Sequence, residues 1–204
     1  NIQILAPKIK AAIADRDPAY VRELARKQVE NGADWLDLNI GPRKRDGIEV
    51  MQWMVEEVYD EVGTVPLSLD TTNASAIEAG LKKCKELGIE AMINSTSADP
   101  DRLNVTMPMA AEYGAKIIAL AMDKNIPATA DGRVELAMED SRPKAQELGI
   151  PVEHVSLHPL VLTVNGCQEH GMETLNAIRS FKMLWDPSPM TTVGLSNISN
   201  SVPH

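Results

Sequence analysis

"VPLSLDTTNASAIEAGLKKC", Val65 to Cys84, is almost wholly apolar as far as Leu69 and then meets an acid at Asp70. Three small polar residues follow, and Ile77, Leu81 and Cys84 then recur at helical spacing. The stretch reads as a buried strand leading through a short loop into a helix. An acid closing such a strand has two explanations. It caps the helix behind it, or it faces something that needs a carboxylate. Which one holds depends on whether other strands in the chain end in the same way.

Upstream, Asp17-Pro18 opens a helix along Val21, Leu24, Ala25 and Val29, which Gly32 stops. "ADWLDLNIGP" (Ala33 to Pro42) reads as a strand entering a turn, and Ile48, Met51, Met54, Val55 and Val58 mark the next helix, ending at Gly63. Downstream come "AMINST" (Ala91 to Thr96), a helix from Asp99-Pro100 to Gly114, and the nearly continuous apolar strand "KIIALAMD" (Lys116 to Asp123). A helix over Arg133 to Leu148, a strand in "VSLHPLVL" (Val155 to Leu162), a helix around Met172 to Leu184 and a strand in "TTVGLSN" (Thr191 to Asn197) complete the series. Strands and helices alternate without a hairpin signal, so a parallel sheet is expected. Strand ends near Asn39, Asp70, Asn94, Met122, His158 and Asn197 lie 24 to 39 residues apart, around the roughly 31 residues per unit of a (β/α)8 TIM barrel. The reading is a single barrel domain over residues 1–204, apparently lacking the first strand and the last βα unit. An open doubly wound sheet is the alternative; it is disfavoured because no GxGxxG follows any strand.

Composition narrows the partners. The formal charge is −9, from 20 Lys and Arg against 29 Asp and Glu, and only seven residues are aromatic. Such a surface repels phosphate backbones and offers few bases a stacking platform, so nucleic acid is not expected. No apolar run reaches the roughly 18–20 residues that cross a bilayer, and no signal peptide is visible. Cys84 and Cys167 are far apart and outside any CxxC, which suits a reduced cytoplasmic protein without a zinc site.

The strand ends answer the opening question in part. Asp37 and Asn39 close one strand, Asp70 the next, then Asn94, His158 and Ser196-Asn197, and no Lys or Arg is among them. In a parallel barrel the C-terminal strand ends build the active site. Neutral amides with one or two acids suit the donor and acceptor edge of an uncharged heterocycle better than a phosphate. Each has a blander reading: Asp70 and Asn94 as helix caps, Asn39 as turn chemistry before Gly41-Pro42. Nucleophilic catalysis finds little support, since no GxSxG occurs and Cys167 and His170 in "NGCQEHG" read as a loop or helix start. His154, His158 and His170 lack metal-site spacing. "RKRD" (Arg43 to Asp46) reads as a solvated loop.

"DLNIGP", "LSLDTTNASAIEAGLKKC", "AMINSTSA" and "GLSNIS" together resemble the pterin-binding barrel family, nearest the methyltetrahydrofolate:corrinoid/iron–sulfur protein methyltransferases within it. Dihydropteroate synthases share the fold, but "GPRKRD" and "GLSNIS" stand where their phosphate-binding motifs would be. The folate module of methionine synthases is another near relative. The resemblance implies that Asp70 and Asn94 hold the 2-amino-4-oxo edge of a pterin and that Asn197 lies near N5. It also implies that Gly194, Ser196 and Asn200 shape the same wall, that Asp37 and Asn39 support the pocket floor, and that His158 contacts the pterin. The family usually has Asp where this chain has His158, which implies altered pterin contacts there.

The activity implied is transfer of the N5-methyl group of methyltetrahydrofolate to Co(I) of a corrinoid (iron–sulfur) protein, in a homodimeric cytoplasmic enzyme of the acetyl-CoA pathway. The corrinoid, or cobalamin, belongs to the partner protein, because this chain carries no DxHxxG motif, and no metal is expected on this chain. Alternatives are the folate side of an O-demethylase or methionine-synthase-like system, and a non-catalytic pterin-binding barrel.

Overall fold

Asn73, not Asp70, caps the helix of the opening stretch: its Oδ1 accepts the Ala76 N–H at 3.3 Å. The computed structural model describes residues 2–3 and 6–202, which form two compact units, Asn1–Ser95 and Thr96–His204.

In the first unit, strands β1 (Ile2–Gln3), β2 (Leu36–Asn39), β3 (Leu67–Asp70) and β4 (Ala91–Ser97, which runs across the unit boundary) pair in parallel and in chain order. Helices α1 (Pro7–Asp15), α2 (Ala19–Glu30), α3 (Gly47–Val62) and α4 (Ala74–Leu87) lie between them in sequence. The opening residues, read as a loop behind a missing strand, therefore include a short strand: Ile2 and Gln3 pair with Leu38 and Asn39. Asp17 starts α2 by accepting the Ala19 N–H at 3.0 Å, and Gly88, with φ +70°, ends α4 in a conformation that costs a residue with a Cβ. Leu36, Leu38, Leu67, Leu69 and Ile93 are fully buried. A Cβ on Gly80 of α4 would lie 2.9 Å from Leu69 and 2.8 Å from Met51, so α4 sits tightly on β3 and α3. The Leu69 side of the sheet is thus the helix-covered side, and by the two-residue alternation of strands Ser68 and Asp70 point to the other. Arg22 bridges α2 to Glu57 and Asp60 of α3 at 2.6 and 3.0 Å.

The second unit carries α5 (Pro100–Tyr113), β5 (Lys116–Leu120), α6 (Ala130–Leu136), α7 (Arg142–Glu147), β6 (Val155–His158), α8 (Glu169–Leu184) and β7 (Met190–Thr191). Here β5, β6 and β7 pair in parallel, again in chain order. Asp99 caps α5 by accepting the Asp101 N–H, with Pro100 in the first turn. The single helix expected over Arg133 to Leu148 is interrupted by a π-helical stretch, Ala137–Ser141. Pro143 has no N–H to return to the preceding turn, so the α ladder cannot run through it. The last strand is also shorter than expected. Thr192 still donates to the Leu157 carbonyl at 3.1 Å, but Asn197 N–H then closes on Gly194 O at 3.0 Å. Leu195–Ser199 form a 3-10 turn, so Asn197 stands on a turn beyond the strand rather than at its end. Parallel strands alternating with helices through both units give the pattern of a partial (β/α)8 barrel.

Candidate functional site

With capping assigned to Asn73, the row of polar strand ends needs another account. In the first unit the register pairs Gln3 with Asn39, Asn39 with Asp70, and Asp70 with Asn94. Register partners in parallel strands share a face, so four polar residues line one row on the side away from the helices. One layer down, Asp37 pairs with Ser68.

The side chains in these two layers are cross-braced. Asn39 Nδ2 donates to Asp70 Oδ2 at 2.5 Å, while Asn39 Oδ1 accepts the Gly41 N–H at 3.0 Å. Asp37 Oδ1 accepts from Ser68 Oγ at 2.8 Å and from Asn94 Nδ2 at 3.1 Å. Asn39 is thereby committed at both ends of its amide and serves to orient Asp70. Asn94 has its donor end tied to Asp37, which fixes the orientation of its amide and of the Oδ1 acceptor. Asp70 is a carboxylate with several acceptor positions, one of them taken by Asn39. Asp70 and Asn94 thus form two neighbouring acceptors on a row without Lys or Arg, a match for a ligand edge with adjacent N–H groups. The behaviour of Arg43 fits: it pairs with Asp46, its Nε 2.8 Å from Oδ1, and its carbonyl accepts from Asn73 Nδ2 at 2.7 Å, which makes the "RKRD" loop a brace for α4.

In the second unit, His158 ends β6 beside Leu120. Its Nδ1 lies 3.0 Å from the Leu160 N–H and its Nε2 lies 2.9 Å from the Gly194 N–H. Burial pushes its pKa below the ordinary histidine value, only partly opposed by a backbone hydrogen bond, so the neutral ring dominates at pH 7. Asn197, exposed on the 3-10 turn, has its Oδ1 held by Asn200 Nδ2 at 3.4 Å, which leaves Nδ2 as the donor it presents. A Cβ on Gly194 would lie 3.0 Å from that Nδ2, so Gly194 gives the Asn197 amide its room. Ser196 carries its carbonyl to Ser199 Oγ at 3.2 Å. The structure therefore groups Asp37, Asn39, Asp70 and Asn94 in one unit, and His158, Gly194, Ser196, Asn197 and Asn200 in the other.

Two participants escaped the sequence reading. Ser68 stands two residues before Asp70 and so shares its face, a placement the strand period alone contained. Arg133, fully buried, donates to Pro127 O, Leu160 O and Thr174 Oγ1 at 3.0 to 3.2 Å and contacts His170 Nδ1 at 2.7 Å; nothing in its helical context marks it out. Cys84 is buried and its thiol is pushed up to about 12, which removes it as a nucleophile. A cavity of about 260 Å³ beside the 3-10 turn is lined mainly by apolar side chains such as Val161, Leu162, Ile178, Val193 and Ile198, and offers no polar row like that of the first unit.

Comparison with known proteins gives these arrangements a context. A profile described as "Pterin binding enzyme" matches residues 8–203. The chain is 33% identical over 200 residues to methionine synthase of Mycobacterium tuberculosis, an alignment covering 93% of this chain and 16% of that protein. It is 32% identical over 200 residues to methionine synthase of Mycobacterium leprae, with the same coverage of each. It is 28% identical over 201 residues to a methylcorrinoid:tetrahydrofolate methyltransferase of Eubacterium limosum, covering 97% of this chain and 72% of that one. The chain thus spans only 16% of the length of the two methionine synthases.

Proposed function

This chain belongs to the pterin-binding enzyme family, and from that premise we propose that it is a methyltransferase moving the N5-methyl group between methyltetrahydrofolate and the cobalt of a corrinoid protein. The observation that carries the reading is the pair of braced acceptors, Asp70 oriented by Asn39 and Asn94 oriented by Asp37. Their acceptor atoms complement the N–H groups at N3 and the 2-amino position of a pterin, and the absence of cations from that row disfavours a phosphate ligand.

Asn197 is assigned to N5. The corrinoid of the partner protein supplies a Co(I) centre that accepts the methyl group. The work left to this chain is to hold the pterin still and to favour the N5 that remains once its methyl has gone. A tertiary amine is a poor leaving group, so N5 must gain a proton or a strong hydrogen bond as the C–N bond breaks. The Asn197 Nδ2, with its Oδ1 tied back by Asn200, donates such a bond at any pH in the working range, and a proton from solvent completes the change at N5. A contribution of about 10²–10⁴-fold is the scale for such assistance; alignment of the methyl group supplies the remainder.

The name of the Eubacterium relative places the methyl group on the corrinoid at the start, which favours a second reading with transfer toward folate. The same residues serve either direction, because both share one transition state. A methyl-transfer assay with methyltetrahydrofolate and free Co(I)-cobalamin tests the proposal. Turnover that falls about 10²-fold or more in Asn197→Ala, with pterin binding kept, supports it. Binding without turnover in the unaltered protein would leave a pterin-binding barrel and overturn the methyltransferase reading.

A further inference from the structure

His158 occupies the place at which the resemblance expects a pterin contact, yet both of its ring nitrogens face main-chain N–H groups. Nδ1 is 3.0 Å from Leu160 N and Nε2 is 2.9 Å from Gly194 N. We propose that His158 is a positioning residue, a clamp that holds the turn carrying Asn197 through the Gly194 N–H, and that it does not touch the pterin. The proposal rests on the assignment of Asn197 to N5 given above.

The clamp is anchored behind and coupled ahead. Behind it, Leu160 takes φ +68°, unusual for a residue with a Cβ. Its carbonyl accepts from Arg133 Nη1 at 3.2 Å and from Thr174 Oγ1 at 2.9 Å. Arg133 is fully buried and also meets Pro127 O, Thr174 Oγ1 and His170 Nδ1, so the anchor is a fixed fork rather than a mobile surface arginine. Ahead, Gly194 O accepts the Asn197 N–H at 3.0 Å, and the Asn197 Nδ2 rests against the space above Gly194. A displacement of Gly194 therefore moves the amide that serves N5. A neutral imidazole has one lone-pair nitrogen and one N–H. It accepts from Gly194 when the proton is on Nδ1 or from Leu160 when it is on Nε2, never from both; the Gly194 contact, at 2.9 Å against 3.0 Å, is the grip assigned here.

Two conservative variants separate the two grips. His158→Gln places a side-chain oxygen near the position of Nε2 and keeps an acceptor for Gly194. His158→Asn places one near Nδ1 and keeps an acceptor for Leu160 only. Hydrogen exchange at the Gly194 amide is measured in each, together with kcat and KM for methyltetrahydrofolate using free Co(I)-cobalamin. The clamp predicts Gly194 exchange about tenfold faster in His158→Asn and near the unaltered rate in His158→Gln. It also predicts kcat about tenfold lower in His158→Asn only, with KM moving less than about twofold in both, since the pterin contacts lie elsewhere. Unchanged Gly194 exchange in His158→Asn overturns the clamp, and so does a tenfold rise in KM at constant kcat in either variant. If the unaltered protein moves no methyl group, the functional reading fails by itself and the exchange rates still decide the clamp.

Discussion

Asp70 illustrates how a residue's neighbours decide its role. Asn73 takes the capping duty and Asn39 orients the Asp70 carboxylate, the acceptor assigned above to the pterin. Asp70→Asn keeps the size and removes the charge; loss of charge-assisted hydrogen bonds worth about 1.5–3 kcal/mol is expected to weaken methyltetrahydrofolate binding about 10- to 100-fold, read by titration calorimetry. Asn94→Ala should do likewise and also release Asp37. Binding within twofold of the unaltered protein in both variants would place the pterin elsewhere. The acid itself was legible at the strand end. Asn39 was legible as turn chemistry or, through the resemblance, as pocket floor, but not as the partner of Asp70, because sequence spacing does not reveal that residues 31 apart share one register row.

At the scale of elements, the α4 start and its packing against β3 make separate contributions. Asn73→Ala removes the side-chain cap and should cost about 1 kcal/mol, measured as a lower urea midpoint with an unchanged slope. Gly80→Ala gains about 1 kcal/mol of helix propensity, but its new methyl would fall within 3 Å of Met51 and Leu69. Overpacking of about 1–3 kcal/mol wins, so the variant should be less stable; greater stability would mean that α4 lifts off β3 without cost. The helices were readable because caps, prolines and glycines punctuate them in the sequence. The π-helical stretch and the two-residue β1 were not, and β7 was read as a longer strand than it is. A strand of two residues has no period to detect, and the turn at Asn197 depends on the hydrogen bond from its N–H to Gly194, a tertiary fact.

For the molecule as a whole, the recurrence of βα units was the clearest signal, since neighbouring parallel strands need a helical crossover between them and so return at a steady spacing. The chain-order neighbours within each unit follow from that recurrence. Global stability carries a trace of His158. Its folded pKa lies below the ordinary value, so the unfolded chain binds the proton first as pH falls. Stability is therefore full above the unfolded pKa of about 6.5 and declines as pH drops through the window beneath it. Urea midpoints at pH 7.5 and 5.5 should differ more in the unaltered protein than in His158→Gln, and equal differences would show that the ring takes up protons freely when folded. These stability measurements probe the scaffold, while the acceptors of the polar row are read only by binding.

That separation of duties around Asn73 and Asp70 bears on how this chain tolerates change. Mutation can erase the carboxylate proposed to read a pterin and leave the melting curve almost where it was, because the side-chain cap of α4 comes from Asn73. A library screened for thermal robustness would retain such silent counterfeits. Specificity for a different heterocycle can be sought at position 70 at little risk to the scaffold.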